Sequence, residues 1–450
     1  MSAGEGAGAG PGRPGIHQAR RRFVAAGAGL GAVLAAGLAP FAALAQPAAL
    51  PAARGGRALV VGGGWGGLAA ARRLKALAPD LEVVLVERNP VFRSLPLSNA
   101  WLVGRRDTRF LLHDYRAAAA AHGYAFVQAE ATRLDREARR VHTSLGDIPY
   151  DWLVLAPGIR DDWSAWFGDD RRAAEAARAR FAPAFVAGEE GLRLRSRLEA
   201  FRGGDLVMTV PPMPYRCPPA PFERACLIAW SMRARKLPGK VFVLDPNPPM
   251  PAFERVFRDH FADRIVYQAQ ARIRFVDPHA RKIETDFDEL RFDDAILMPP
   301  QQAGDLAWQA GLIGRDAAGK PTGWVAADPL HLHVPDDERI FVVGDALDRV
   351  SPLFGFYPKS GHLAARLGAI AAEEIAARRA GREPPVLLPD GVCHVQTNPE
   401  PDEAMRLDVR FRLRGDGVIV QTATQTRIVQ PQGEDVEWAR GFFREFFGEG

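Results

Sequence analysis

The chain has 450 residues, 47 % hydrophobic and 25 % charged, with a formal net charge of +4. That length allows two or three domains, each with its own core, and the composition is that of a globular protein. Arg13, Arg20, Arg21 and Arg22, set against Glu5, supply most of the excess charge, and no basic stripe with interleaved aromatics follows, which excludes a nucleic-acid binder. Three cysteines are too few, and odd in number, for a disulfide-stapled scaffold. With no C-x-x-C-H and no Cys/His cluster of zinc or iron–sulfur spacing, neither attached haem nor a metal site is expected.

Residues 1–45 read as a secretory signal. Arg20-Arg21-Arg22-Phe23-Val24 precedes a weakly apolar run and the small-residue site Ala43-Leu44-Ala45, a layout that fits the twin-arginine route to the periplasm. The alternative is an N-terminal membrane anchor; no later segment is apolar and long enough to span a bilayer. The mature chain is expected to start near Gln46.

Ala58–Leu68, ALVVGGGWGGL, is a strand-like run ending in G-x-G-x-x-G at Gly62, Gly64 and Gly67. A helical pattern follows at once. Such glycines permit a tight turn, close backbone approach to a pyrophosphate and close helix–strand packing, while the helix N-terminus offers free N–H groups and the positive end of its dipole. Trp65 and Gly66 fill the turn. A second apolar run, Glu82–Val86, leads to Glu87, twenty residues beyond Gly67, with Arg88 beside it. That is where a carboxylate takes a ribose hydroxyl. The strand Trp152–Leu155 then runs into the small-residue turn Ala156-Pro157-Gly158, suited to lying against a flat cofactor.

Residues 161–203, rich in Arg, Ala and Glu, read as connecting helix. A second α/β unit starts at Asp205, with the strand LVMTVP, a helix over 222–236 and the strand Val241–Leu244 ending in Asp245. Where the glycine turn belongs, the chain reads Pro211-Pro212-Met213-Pro214-Tyr215-Arg216-Cys217-Pro218-Pro219. Prolines remove N–H donors and fix φ, so this turn does not cradle a pyrophosphate and a nicotinamide is not expected here. A later buried strand ends in Gly344-Asp345-Ala346, fit to hold a ribityl or phosphate oxygen. The stretch Tyr357–His362 opens a helix over 363–379, with Lys359 expected to add charge at the cofactor's polar edge. Leu407–Leu413 and Gly417–Thr422 predict a small antiparallel layer, closed by a helix carrying Trp438, Phe442, Phe443, Phe446 and Phe447.

GGGWGG at Gly62–Gly67, Leu97-Ser98-Asn99, PYRCPPAPFERA at Pro214–Ala225, Gly344-Asp345-Ala346, Pro358-Lys359-Ser360-Gly361 and Cys393 together resemble the flavin-dependent pyridine nucleotide–disulfide oxidoreductases. Within them the chain resembles the flavoprotein subunits of flavocytochrome c sulfide dehydrogenases, with sulfide:quinone oxidoreductases as near relatives. The resemblance implies an α/β fold of two Rossmann-like FAD/NAD(P)-binding-type domains plus a small α+β C-terminal interface domain. Its expected parts are FAD-binding segments at 46–160 and 301–383, a second Rossmann-like domain without a glycine turn at 161–300, and the interface domain at 384–450.

It further implies that Cys217 and Cys393 form a redox-active disulfide beside FAD, with Glu223 as acid/base and Asn99, Gly361 and Lys359 among the cofactor contacts. Each residue has a plainer reading. The pair fits a stabilising disulfide worth about 3–5 kcal/mol, and Glu223 a carboxylate favoured by a helix dipole at under about 1 kcal/mol. Arg216, next to Cys217, suits a thiolate partner or a surface cation. Cys226, in the apolar run CLIAW, reads as inert core. Both catalytic cysteines are expected in loops or at strand ends. Some members tether the flavin through a cysteine where this chain has Leu95, so FAD is expected to bind non-covalently. The implied chemistry is attack of hydrosulfide on the Cys217–Cys393 disulfide, with electrons passing through FAD to a c-type cytochrome on another chain. Quinone as acceptor, NADH as reductant and a non-catalytic accessory flavoprotein are the alternatives.

Overall fold

The computed structural model describes residues 53, 55–186 and 188–448, so the segment read as an export signal lies outside the described residues. The first half of the chain supplies β1 (Arg57–Val61), α1 (Trp65–Leu77), β2 (Glu82–Glu87), α2 (Ser98–Leu102), β3 (Ala125–Gln128) and β4 (Trp152–Leu155). The middle supplies β5 (Leu206–Thr209), α3 (Ala220–Ala234), β6 (Val241–Asp245), β7 (Ile265–Ala269) and β8 (Asp294–Ile296). The last part supplies β9 (Asp337–Val342), α4 (Gly361–Arg379), β10 (Asp390–Pro399), β11 (Asp402–Leu413), β12 (Ile419–Val429) and α5 (Glu434–Phe447).

β1 is five buried residues in succession, the pattern of a strand covered on both faces. It pairs in parallel with β2 on one side and β4 on the other. β3 extends the sheet beyond β2 and β9 beyond β4, also in parallel, and the short strand His333–Val334 adds an antiparallel edge. The strand order reverses at β1, so the crevice between the ends of β1 and β4 is the switch point where such sheets bind ligands. Two glycines there answer to space. Gly62 has φ +103°, and a Cβ on Gly67 would sit 1.9 Å from the Gly62 carbonyl oxygen.

The second sheet, in the order β7–β6–β5–β8, is parallel throughout. Its core takes in Cys226, fully buried on α3, together with Val395 and Met405 from the third sheet. The chain therefore has the two Rossmann-like parallel sheets expected of it. Between them, residues 161–203 form three helices, Ser164–Phe167, Arg171–Phe181 and Glu190–Ala200.

The C-terminal layer is larger than the alternation predicted. Three long antiparallel strands, β10 to β12, replace two short ones. Cys393 consequently lies inside β10, opposite Leu407, and not in a loop or at a strand end. α5 buries Phe442, Phe443, Phe446 and Phe447, and their rings surround Trp65 at the start of α1. Among the described residues no helix is long and apolar enough to cross a membrane.

Candidate active site: a dinucleotide cleft ending at a cysteine pair

A cleft of about 1060 Å³ opens at the switch point of the first sheet. Gly62, Gly64, Trp65 and Gly66 line one part of it, with Glu87 and Arg88 at the end of β2. Ala156 and Gly158 from the β4 turn, Gly344 and Asp345 after β9, and Gly361 at the start of α4 line the rest. The residues fit a dinucleotide. A Cβ built on Gly64 meets no atom within 4 Å, and Gly64 caps α1 without a side-chain hydrogen bond. The first N–H groups of a thirteen-residue helix are thus left to face phosphate. Glu87 Oε2 accepts the Gly63 N–H at 2.8 Å, and its Oε1 accepts the Asn89 N–H at 2.8 Å. These bonds fix the carboxylate at the ribose end of the cleft. Gly67 serves packing and does not line the cleft; Leu95 stands in its wall as an aliphatic side chain.

Cys217, Cys393 and Glu223 line the same cleft. The Pro-rich turn brings Cys217 there in the left-handed region, φ +53°, a conformation that costs a non-glycine residue of order 1–3 kcal/mol and persists only when its surroundings hold it. Its N–H donates to the Lys359 carbonyl at 2.6 Å, and its carbonyl accepts the Ala220 N–H at 2.8 Å. The Cys217 and Cys393 thiols face one another across the cleft, close enough to interact, and are not covalently joined. That contact, with burial and the nearby Cys393 and Glu223, pushes the Cys217 thiol well above its ordinary pKa.

Glu223 lies in the first turn of α3. Its Oε1 accepts the Gln396 N–H from β10 at 2.8 Å, and its Oε2 accepts the Asn99 Nδ2 from α2 at 2.6 Å. Burial still prevails and raises its pKa to about 7, against the lowering effect of those two donors. A carboxyl that takes and gives a proton near neutrality suits acid–base work.

Two expectations, for Lys359 and Arg216, are corrected, and Asn99 shows contacts the sequence did not disclose. Asn99 reaches the cleft, and its amide is held by protein: Nδ2 donates to Glu223 and to the Ala220 carbonyl (3.0 Å), while Oδ1 accepts from Arg224 Nε at 2.9 Å. Its side chain thus holds the acid at the wall of the cleft. Lys359 is buried and turned away from the cleft. Its Nζ donates to the carbonyls of Asp345 and Leu347 at 2.8 and 2.9 Å and lies 3.7 Å from the centre of the Trp324 ring. Burial lowers its pKa to about 7. Arg216 does not serve the thiol, because its Nε pairs with Asp345 Oδ2 at 2.6 Å and its Nη1 donates to the Phe185 carbonyl at 2.6 Å.

The site also contains residues that sequence reasoning passed over. His362 lines the cleft; its Nδ1 accepts the Val392 N–H at 2.9 Å, and burial pushes its pKa down to about 4. Trp438 and His394 stand at the cysteine end. Arg224, 1 % exposed, lies beneath it. The sequence signal for Arg224 was a full charge directly before the apolar run ACLIAW, a placement rare without a dedicated partner.

Residues 192–299 match the central part of the flavoprotein chain of sulfide dehydrogenase (flavocytochrome c). Residues 56–172 match the pyridine nucleotide-disulphide oxidoreductases. A sulfide-quinone reductase of Aquifex aeolicus is 23 % identical over 337 residues, which span 70 % of this chain and 75 % of that one. A type II NADH:quinone oxidoreductase of Staphylococcus aureus is 30 % identical over 105 residues, 23 % of this chain and 26 % of the other. Among solved structures, the sulfide:quinone oxidoreductase of Aquifex aeolicus superposes with a TM-score of 0.64 at 20 % identity, covering 87 % of this chain and 90 % of that one. An NAD-dependent persulfide reductase from A. fulgidus gives 0.57 at 16 % identity, covering 87 % and 77 %. These structural likenesses bear on the fold. The two matched segments and the Aquifex aeolicus relative are consistent with a flavoprotein of the sulfide dehydrogenase type among the pyridine nucleotide-disulphide oxidoreductases, with FAD as its cofactor.

Proposed function

We propose that this flavin sulfide oxidoreductase works in the periplasm, oxidises sulfide through Cys217 and Cys393, and delivers electrons to a c-type cytochrome on another chain. The observation that carries the reading is the meeting of two cysteines, distant in sequence, beside a carboxyl that titrates near neutrality. In the oxidised protein the pair is a disulfide. Hydrosulfide attacks one sulfur, so the Cys217–Cys393 bond breaks, a new S–S bond forms in a persulfide, and the other cysteine leaves as a thiolate. Glu223 takes the proton of the incoming hydrosulfide. FAD would supply the two-electron acceptor that lets the pair return to the disulfide as the persulfide's outer sulfur leaves oxidised, and would hand those electrons on singly. The α1 N-terminus, Glu87 and the Gly344-Asp345 turn would hold the cofactor, and the strained Cys217 turn would aim its sulfur into the cleft.

Support for a cytochrome acceptor comes from the matched flavocytochrome segment at 192–299 and from the absence of haem-attachment cysteines in this sequence. The export-type sequence at Arg20–Ala45 supports the periplasm. A quinone-reducing surface would call on the aromatic face of α5, which is committed to packing around Trp65.

Anaerobic titration of the purified protein tests the reading. Sulfide should bleach the flavin absorbance, Cys217→Ser should abolish bleaching while retaining FAD, and ferricytochrome c should restore the oxidised spectrum. Bleaching by NADH instead would sink the proposal in favour of a dehydrogenase. Tight FAD with no response to sulfide would point to an accessory flavoprotein.

A further inference from the structure

The acid at the cysteine pair does not stand alone. Arg224 follows Glu223 on α3 but points into the protein, where it is 1 % exposed. Its Nε donates to Asn99 Oδ1 at 2.9 Å, its Nη1 donates to the Pro183 carbonyl, and its Cζ lies 4.2 Å from the centre of the Phe185 ring. Its Nη2 has no hydrogen-bond partner. Among the described residues no carboxylate forms an ion pair with it, which is costly for a buried cation unless negative charge is held close by. Guanidinium can only donate. Asn99 must therefore turn its oxygen to Arg224 and its NH₂ to Glu223 Oε2, at 2.6 Å. The Ala220 carbonyl, which accepts from the same Nδ2 at 3.0 Å, favours the same orientation, and that orientation makes Glu223 an acceptor.

We propose that Arg224 is the positioning residue of this site: by locking the Asn99 amide it holds Glu223 as a hydrogen-bond acceptor, and its buried charge favours the ionised acid. This rests on the reading of Glu223 as the proton acceptor and goes beyond it by naming what sets its proton affinity. Arg224 touches neither substrate nor cofactor and acts through Asn99. The groups around Glu223 are few. Cys217 precedes its helix, Cys226 and Arg224 share it, Asn99 reaches in from α2, and the Gln396 N–H comes from β10. Asp435 on α5 opposes ionisation, itself paired with Arg106 at 3.4 Å. Among the described residues, Arg224 is the cation whose charge bears directly on Glu223.

The test titrates the protonated-carboxyl infrared band of Glu223 in the FAD-loaded full-length protein, the band being the one lost in Glu223→Gln. Its midpoint should lie near pH 7 in the wild type and move up by about one unit in Arg224→Met, a tenfold change in proton affinity. Asn99→Ser keeps the cation and cuts only the amide link, so it should move the midpoint in the same direction by less. Arg224→Lys, which keeps charge without the planar fork, should fall between wild type and Arg224→Met. If Arg224→Met fails to fold, Asn99→Ser decides. An unchanged midpoint in the variants that retain FAD overturns the proposal, since a merely structural arginine would alter stability without moving this band. A wild type whose flavin ignores sulfide would defeat the proposed function, yet this midpoint would still be measurable.

Discussion

The two parallel sheets share a plan and differ in what they place at one point of it. In the first, the turn after β1 is glycine, the helix behind it starts uncapped, and the acid ending β2 holds the turn through the Gly63 N–H. In the second, the turn after β5 is proline, and the acid ending β6 is tied up internally. Asp245 Oδ1 accepts from Asn247, and its Oδ2 accepts the Tyr267 hydroxyl at 2.9 Å. Asn247 in turn donates to the Pro211 carbonyl at 2.9 Å and accepts the Met213 N–H at 2.8 Å. One unit offers backbone donors to an anionic ligand. The other has closed that position and offers a thiol. A Rossmann-like unit thus supplies a place, the end of a strand before a helix, and the turn residues decide the chemistry done there.

The sharpest way to break this comparison is to give the glycine turn a side chain. In Gly67→Ala the new Cβ would lie 1.9 Å from the Gly62 carbonyl oxygen. Backbone rather than a movable side chain blocks it, so the cost should exceed about 3 kcal/mol. Purified protein should show a large fall in melting temperature and little bound flavin. Normal flavin content would mean that the helix–strand approach is looser than the structure shows.

On the other side, Glu223→Gln separates stability from chemistry. Glu223 has a folded pKa of about 7, above its ordinary 4.5, so the folded state resists its ionisation. Stability is therefore fully present below pH 4.5 and falls as pH rises to 7, by up to about 3 kcal/mol. A glutamine avoids that loss but turns its NH₂ toward one of the two donors now facing the carboxylate, a cost of about 1 kcal/mol. The variant should gain about 2 kcal/mol over wild type at pH 8 in denaturant melts, lose the advantage below pH 4.5, and oxidise sulfide at least a hundredfold more slowly. Equal stability at both pH values would contradict a buried, reluctant acid.

What the sequence disclosed follows from how local each signal is. The glycine turn, its following helix and Glu87 obey short-range rules, and they stand where spacing puts them. The proline turn was equally legible as a place without N–H donors. Cys217 and Cys393 could be paired only through the family resemblance, because the contact joins the α3 turn to the interior of β10, and no local rule reports it. Asn99, Gln396 and Arg224 converge on Glu223 from three elements; neither periodicity nor spacing encodes that meeting. Lys359 shows the opposite failure. Its position near a helix start suggested charge facing the cofactor, yet its long stem folds back beneath the Asp345 turn, where two carbonyls and the Trp324 ring receive it.

The smallest expected effect tests whether the second turn is held shut for the sake of the thiol. Asn247→Ala removes the bonds to Pro211, Met213 and Asp245. Met213 is exposed and water replaces part of what is lost, so the stability cost should be only about 1 kcal/mol. Asp245 loses one donor that opposes its burial, the Asn247 side-chain amide, and its proton affinity should rise. The loosened turn still carries five prolines between Pro211 and Pro219, so freeing Asp245 does not restore a phosphate cradle. Sulfide-driven bleaching should slow several-fold, because the strained Cys217 is less firmly aimed, while NADH should leave the flavin oxidised. Were NADH to bleach the variant, the clamp and not the prolines would be what excludes a nucleotide, and the contrast between the two turns would come down to one asparagine.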